Sequence, residues 1–180
     1  VIAYEGVAII VSKEIYDHST NPVTNLTSEQ VLGIYNGTYT NWNEVGGPDL
    51  EIDVNEREEG SGTRDTFMEA IFGDDGATAD GKDAAWTGNS EVQNAVATST
   101  LGNSIGYVGL GYVDDTTAPD ILLDGIEAKG STIADGSYPI SRSLFMYTDG
   151  EPTGAVKTFI DYVQGPNGQQ IVEDEGFIPL

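Results

Sequence analysis

The 180-residue sequence predicts an α/β protein with a mixed or mainly parallel sheet. Runs of β-branched residues alternate along the chain with segments whose apolar residues recur at helical spacing. Glycine and proline separate these segments where helices and strands are expected to end. The longest apolar run, 7–11, has five residues, whereas a membrane-spanning helix needs roughly 20.

The first half of the chain is predicted to form two strands, each followed by a helix. Residues 2–12 are rich in β-branched side chains and are typical of a buried strand. Thr27 and Gln30 have the spacing of a capping box, which predicts the start of a helix. Apolar residues alternate over 50–54, which predicts a second strand, and the turn after it opens a helix that Gly73 closes.

The second half is predicted to continue this alternation. Residues 90–93 indicate a capped helix, and the glycine-rich segment 104–112 contains a strand at 105–108. We expect the tyrosines of this segment to pack in the core rather than to form a ligand-stacking surface. Further strands are predicted near 121–123 and at 143–148, helices at 152–164 and 166–175, and loops at 13–25, 36–49 and 73–89.

Acidic residues dominate the composition. The chain has 30 Asp and Glu against seven Lys and Arg, and its formal charge is −23. A nucleic-acid-binding protein gains affinity by placing cations on phosphates, so this charge argues against nucleic acid as a partner. Because molar salt shortens the screening length to about 3 Å, we interpret the acidity as adaptation to a halophilic environment. The sequence contains no cysteine, which excludes disulfides and thiolate metal sites.

Residues 57–64, REEGSGTR, form the segment most indicative of a binding site. A strand that ends in a glycine-rich turn and opens a helix leaves backbone N–H groups free at the positive end of the helix dipole. Two of the chain's three arginines flank this turn, and a guanidinium binds an oxyanion through two parallel hydrogen bonds. The candidate anion-binding residues are Arg57, Gly60, Ser61, Gly62, Thr63 and Arg64.

A simpler interpretation of the same residues stays open. The turn would then only cap the helix, and the arginines would pair with neighbouring acids such as Glu58 or Asp65. Catalytic interpretations fail on spacing, because the turn has no lysine of a nucleotide-binding loop and Ser61 lacks the flanking glycines of a nucleophile elbow. His18, the only histidine, lies in a polar loop. We therefore expect no catalytic residue, no metal site and no cofactor. Neither the group Asp74, Asp75 and Asp80 nor the pair Asp114-Asp115 matches a calcium loop.

Five segments in order carry a family resemblance. They are VLGIYNGTYTNWNEVGG from Val31, REEGSGTRDTF at 57–67, SIGYVGLGYVD at 104–114, YPISRSLFMYT at 138–148 and EPTGAVKTFIDYVQGPNGQQIVEDEGFIPL at 151–180. Together they resemble the phosphate-binding protein of ABC-type phosphate uptake systems, a family with the periplasmic-binding-protein-like (type II) fold. The resemblance covers essentially the whole chain and implies two α/β lobes, joined by hinge strands, that close on a ligand.

The resemblance also implies roles for the candidate residues. Arg57, Ser61, Gly62 and Thr63 match positions that contact phosphate from the second lobe, and Gly60 and Arg64 match supporting positions of the loop. Arg142 is expected to be a hinge or interlobe residue rather than a ligand contact.

The domain organisation that the resemblance implies has three parts. Residues 1–10 enter from the first lobe, 11–140 form a complete second lobe, and 141–180 return through a hinge strand to two first-lobe helices. The family's first lobe normally begins well upstream of Val1, so this lobe is expected to be only partly present. The apolar faces of the last two helices, which include Phe159, Ile160 and Ile171, should then be uncovered.

By this resemblance the protein is an extracytoplasmic solute-binding protein and not an enzyme. It would bind inorganic phosphate in an interlobe cleft and deliver it to the membrane permease of an ABC importer, with a lipid anchor supplied by a segment outside this sequence. A missing first-lobe segment or a second polypeptide would complete the cleft. The alternatives are a truncated or repurposed lobe that acts as an interaction or sensory module, and a site for another tetrahedral oxyanion.

Overall fold

A mixed five-stranded sheet organises the protein in the computed structural model, which describes residues 1–73 and 78–180. Its strands are β1 (Ala3–Val11), β3 (Asp53–Arg57), β4 (Ala84–Trp86), β5 (Ser104–Gly109) and β7 (Ser141–Leu144). The strand order is β4-β3-β5-β1-β7; β3 runs parallel to β4 and β5, and β1 runs antiparallel to β5 and β7. The prediction of an α/β fold with a mixed sheet is confirmed. A second, two-stranded parallel sheet pairs β2 (Asn25–Leu26) with β6 (Leu122–Leu123).

Helices connect most of these strands. They are α1 (Lys13–Tyr16), α2 (Ser28–Tyr35), α3 (Gly62–Phe72), α4 (Asn89–Ala97), α5 (Gly130–Ala134), α6 (Gly154–Gln164) and α7 (Pro166–Asp174). Short 3₁₀ turns lie at Trp42–Val45 and Leu110–Tyr112. In the described part of the chain, the helices are too short or too polar to span a bilayer.

The core is built around β1 and β5, whose side chains are buried on both faces of the sheet. On one face, the rings of Tyr35 from α2, Phe67 from α3 and Tyr107 from β5 pack together. On the other face, α4 packs Val92 and Val96 against the sheet. Tyr107 is fully buried, as expected for the glycine-rich segment, but the same expectation was wrong for Tyr112, which is 49% exposed. The segments that follow β3 and β5 line the pocket described below.

Several predicted boundaries agree with the structure. The capping box at the start of α2 is confirmed, since the Thr27 side chain accepts from the Gln30 amide at 3.1 Å and the Gln30 side chain accepts from the Thr27 amide at 2.9 Å. The helix after the glycine-rich turn begins at Gly62 and is closed by Gly73 in the left-handed conformation, with φ of 73°. The two terminal helices lie within one or two residues of their predicted bounds.

Other boundaries were wrong. The N-cap of α4 is Gly88, and Ser90 lies inside the first helical turn. The strand predicted from residue 50 begins at Asp53, and the strand predicted to end at 148 ends at Leu144. The predicted loops at 13–25 and 73–89 contain α1 and β4 respectively. These short elements have too few apolar residues for their periodicity to be recognised.

β1 joins the two ends of the chain to the rest of the sheet. Its first part, Ala3–Gly6, pairs with β7, and its second part, Val7–Val11, pairs with β5. The division of the chain into parts at residues 10 and 140 stays a prediction. The expected uncovered apolar surface is present on α6 and α7, where Phe159 is 56% and Ile171 is 50% exposed, although Ile160 is partly buried.

Candidate functional site

A pocket of about 350 Å³ lies where β3 ends and α3 begins. Its walls come from four places: the start of α3, the start of α4, the 3₁₀ turn after β5, and the β1–β7 pair with the segment that follows α7. The lining residues are Glu5, Gly6, Arg57, Ser61, Gly62, Thr63, Asn89, Gly109, Leu110, Gly111, Tyr112, Arg142, Leu144, Glu175, Gly176 and Phe177. The four residues predicted to contact an anion therefore face one pocket.

The N-terminus of α3 supplies backbone donors to this pocket. Gly60 has φ of 82°, a left-handed conformation that lets the chain turn sharply after β3. Ser61 is the N-cap, and its Oγ accepts from the Arg64 amide at 3.3 Å. Within the described residues, the amides of Gly62 and Thr63 donate to no protein acceptor. Because these amides lie at the positive end of the helix dipole, they are placed to bind an anion.

Arg57, the last residue of β3, points its guanidinium into the pocket, with a side chain only 10% exposed. Its Nε and Nη2 each lie 3.0 Å from a different carboxylate oxygen of Glu58, and its Nη1 donates to Asn89 Oδ1 at 2.7 Å. These bonds hold the guanidinium plane and lower the pKa of the Glu58 carboxyl below its ordinary range. A guanidinium has five N–H groups, and three of them make these bonds. One N–H on Nη1 and one on Nη2 therefore have no partner among the described contacts.

The aromatic core fixes the backbone of Arg57. Its amide donates to Tyr107 Oη at 3.2 Å, and the Tyr107 ring stacks on Phe67 with centroids 4.0 Å apart. Burial raises the pKa of the Tyr107 hydroxyl, so this group stays protonated at ordinary pH. The arginine is thus anchored at both its main chain and its side chain, which reduces the entropy lost when it binds a ligand.

The two supporting residues, Gly60 and Arg64, do not line the pocket. Arg64 is buried, and its Nε lies 3.7 Å from Oε2 of the buried Glu56. Lys82 Nζ lies 2.5 Å from the other Glu56 oxygen. Arg64 therefore ties α3 to β3 and steadies the turn between them. The simpler interpretation of the arginines is partly right, because both pair with acids, but Arg57 also faces the pocket.

Three further residues line the pocket: Glu5, Asn89 and Arg142. The sequence did not indicate the first two, and Arg142 was expected to be a hinge or interlobe residue rather than a ligand contact. Arg142 on β7 stands directly opposite Glu5 on β1, and its Nε and Nη2 lie 2.8 and 2.7 Å from Glu5 Oε2. A Cβ on Gly62 would lie 2.8 Å from Arg142 Nη2, so the glycine makes room for the guanidinium. The rarity of arginine was the signal that could have pointed to Arg142.

His18 and the acidic residues considered as a catalytic base or as cation ligands are the remaining candidates from the sequence. His18 lies in its loop, where its Nδ1 accepts from the Asn21 amide at 3.2 Å, and it is not part of the pocket lining. Asp74 and Asp75 fall outside the described residues. Among the described residues, no group of three or more His, Asp or Glu is arranged to hold a metal ion.

The fold of this chain is shared with known proteins. The sequence profile of the PBP superfamily domain matches residues 1–167. The chain therefore belongs to the PBP superfamily.

Two bacterial proteins that carry the name phosphate-binding protein are similar to this chain in sequence. The phosphate-binding protein PstS of Bacillus subtilis is 33% identical over 160 residues, which are 88% of this chain and 51% of that protein. PstS of Borreliella burgdorferi is 32% identical over 196 residues, covering 100% of this chain and 65% of that protein. The chain thus spans about half to two thirds of the length of these relatives.

Two solved structures have the same fold. A putative phosphate ABC transporter substrate-binding protein with bound phosphate, from Clostridium perfringens, aligns with a TM-score of 0.78 and 37% identity over 99% of this chain and 70% of that one. An ABC-type phosphate transport receptor from Vibrio cholerae aligns with a TM-score of 0.81 and 30% identity over 99% of this chain and 71% of that one.

Proposed function

We propose that this chain binds inorganic phosphate as part of a solute-binding protein that delivers it to an ABC importer. The observation that carries the proposal is the pair of unused amides, Gly62 and Thr63, facing one pocket with the anchored guanidinium of Arg57. Relatives that are named phosphate-binding proteins support this choice of anion. The Clostridium structure, which contains bound phosphate, supports it further.

In this proposal the anion is held by charge-assisted hydrogen bonds. The two remaining N–H groups of Arg57, the amides of Gly62 and Thr63, and the hydroxyls of Ser61 and Thr63 would all donate to phosphate oxygens. Ser61 Oγ can donate its proton to the ligand while it accepts from the Arg64 amide. Among the described contacts of the pocket, the Ser61 hydroxyl is not paired with a histidine or carboxylate that could activate it as a nucleophile, which suits binding and release rather than catalysis.

We propose that a further first-lobe segment, from the same polypeptide or from a second one, completes the cleft. The exposed apolar residues of α6 and α7 support this, because a surface of this kind is normally covered. They are Val156, Phe159, Tyr162 and Ile171. The greater length of the relatives is also consistent with an additional segment. Closure of two lobes would then follow from contacts that the anion makes with both.

The remaining parts of the proposal concern where the protein works. It would act outside the cytoplasm beside the membrane permease, held by a lipid anchor outside residues 1–180. We propose that its charge of −23 is an adaptation to high salt, since screening by salt lowers the repulsion between surface carboxylates.

Calorimetric titration of the intact protein with phosphate tests the proposal. We expect Arg57→Lys to lower phosphate affinity by about tenfold or more, because a lysine keeps the charge but cannot form two parallel bonds. Thr63→Val, which removes one hydroxyl at nearly constant volume, should lower the affinity less.

Lys129→Ala is the matched control. This lysine is exposed, pairs with Glu127 among the described residues and does not line the pocket, so its removal changes the net charge away from the site. Phosphate affinity should stay within about twofold of the wild-type value. Binding that is equally strong in Arg57→Lys and Lys129→Ala would contradict the assignment of the site.

A further inference from the structure

Asn89 joins three elements at the wall of the pocket. It is the first residue of α4, and it lines the pocket together with Arg57 and Gly109. Its Oδ1 accepts from Arg57 Nη1 at 2.7 Å and from the amide of Gly109, the last residue of β5, at 3.3 Å. Because two N–H groups converge on this one atom, it must be the acceptor oxygen, and the orientation of the side-chain amide is fixed.

The two anchors of the Arg57 guanidinium differ in what they fix. Glu58 binds Nε and Nη2, but it is the next residue in the chain and its side chain is 35% exposed. That pair places the guanidinium relative to the end of β3. Asn89 binds the third nitrogen, Nη1, and through the Gly109 amide it places the guanidinium relative to β5 as well. A guanidinium that is placed before the ligand arrives loses less conformational entropy when the ligand binds.

The acceptor that Asn89 provides carries no charge. A carboxylate at this position could accept the same two bonds, and acidic residues outnumber basic ones by 30 to seven in this chain. Glu58 already places one negative charge beside the guanidinium. A second one would weaken the attraction for an anion, whereas an amide orients the arginine without opposing its charge.

We infer that Asn89 is a positioning residue, which orients the guanidinium of Arg57 for the anion through a neutral acceptor. This inference rests on the proposed function, and it names the residue on which the geometry of the arginine depends. Asn89 acts through Arg57, so its contribution to phosphate affinity should vanish when residue 57 has no guanidinium to orient.

A double-mutant cycle on the intact protein, followed by calorimetric titration with inorganic phosphate, tests this dependence. Asn89→Ala alone should lower phosphate affinity by about tenfold, because the arginine loses a hydrogen bond that orients it. When Arg57→Lys is already present, Asn89→Ala should change the affinity by less than about twofold, since an ammonium group has no plane to orient. A role confined to the structure of α4 and β5 would lower the affinity by the same factor with and without Arg57→Lys, and that result overturns the inference.

Asn94→Ala is the matched control. Asn94 lies on the same helix, is exposed and does not line the pocket. Its replacement removes the same kind of side chain from α4 and should leave phosphate affinity within about twofold of the wild-type value.

Asn89→Asp covers the case in which Asn89→Ala does not fold, because a carboxylate keeps an acceptor oxygen for both Arg57 and Gly109. Its added charge should lower phosphate affinity relative to the wild type, and this loss should shrink as KCl is raised. The loss in Asn89→Ala is one of orientation and should not shrink. A loss in Asn89→Asp that salt does not reduce would show that an oxygen at this place is not enough to position the arginine, which also overturns the inference.

The same titrations separate this inference from the proposed function. If the wild-type protein does not bind phosphate, the proposed function fails, and the inference fails with it. If the wild type binds phosphate and Asn89→Ala has equal effects with and without Arg57→Lys, phosphate binding stands and only the role of Asn89 is lost.

Discussion

Asp120 shows how one side chain can make stability depend on pH. It lies after the 3₁₀ turn Leu110–Tyr112 and is half-buried. An isolated β-bridge pairs it with Ile10 of β1. Burial, together with the nearby negative charge of Asp115, raises the pKa of its carboxyl to about 6. The folded protein therefore holds a proton on Asp120 at pH values where the unfolded chain has released it.

We expect Asp120→Asn to stabilise the protein at neutral pH and to have little effect near pH 4. The free energy of unfolding of the wild type loses its Asp120 contribution as pH rises from about 4 to about 6, because folding then disfavours the ionised form. The gain should be on the order of 1 kcal/mol, less than the full shift implies, since the group is only partly buried. Urea denaturation at both pH values measures it.

Asp149→Asn is the control for this prediction. Asp149 is exposed, and its replacement removes the same negative charge from an open surface. A gain at neutral pH that is equal in the two variants would mean that net charge, rather than the burial of Asp120, is responsible.

The proposed anion site could be predicted from sequence only where its groups are neighbours in the chain. Residues 57–63 carry a strand end, a turn and a helix start in seven consecutive positions, so their chemistry is visible in one segment. Glu5, Asn89 and Arg142 reach the same pocket from β1, α4 and β7. Their proximity depends on the order of the strands in the sheet, which no local pattern encodes.

At the level of elements, the helices differ in how their N-termini are satisfied. The Thr27 side chain caps α2 with a bond to the Gln30 amide. Thr153 holds the equivalent position before α6, but its side chain makes no capping bond there. Threonine is therefore the N-cap residue of both helices, but its side chain makes a capping hydrogen bond only in α2 of these two.

Thr27→Ala should lower the free energy of unfolding by about 1 kcal/mol, since it leaves an amide of the first turn of α2 without its partner. Thr153→Ala should have a clearly smaller effect, because no capping bond is lost. Thermal or chemical unfolding of the two variants beside the wild type makes the comparison. Equal losses in both variants would show that the side-chain bond of Thr27 contributes nothing measurable.

The elements that sequence reasoning found are those with a cap or a long apolar repeat. α2 and α3 have both a cap and a closing glycine, and seven of the nine residues of β1 are buried. β4 has only three residues, of which two are exposed, so the sequence shows no alternation of apolar and polar residues that would predict a strand there. It exists because β3 offers an edge to pair with, which is a property of the sheet rather than of residues 84–86.

The charges of the whole molecule cannot be balanced internally. All seven Lys and Arg side chains form ion pairs with carboxylates, yet there are 30 acidic residues. The surplus carboxylates repel each other through water over the screening length, which is about 10 Å at 0.1 M salt and about 3 Å at 1 M. Dilute buffer should therefore weaken the fold.

We expect the melting temperature to rise between low and molar KCl at neutral pH, because salt screens this repulsion in the folded state more than in the expanded chain. Near pH 4, close to the isoelectric point of about 4.1, many carboxylates are protonated and the same salt should change the melting temperature little. Differential scanning calorimetry at both pH values separates screening from the general effect of salt on apolar burial, which does not depend on charge. An equal rise at both pH values would assign the stabilisation to apolar burial, and a melting temperature indifferent to KCl would contradict adaptation to high salt.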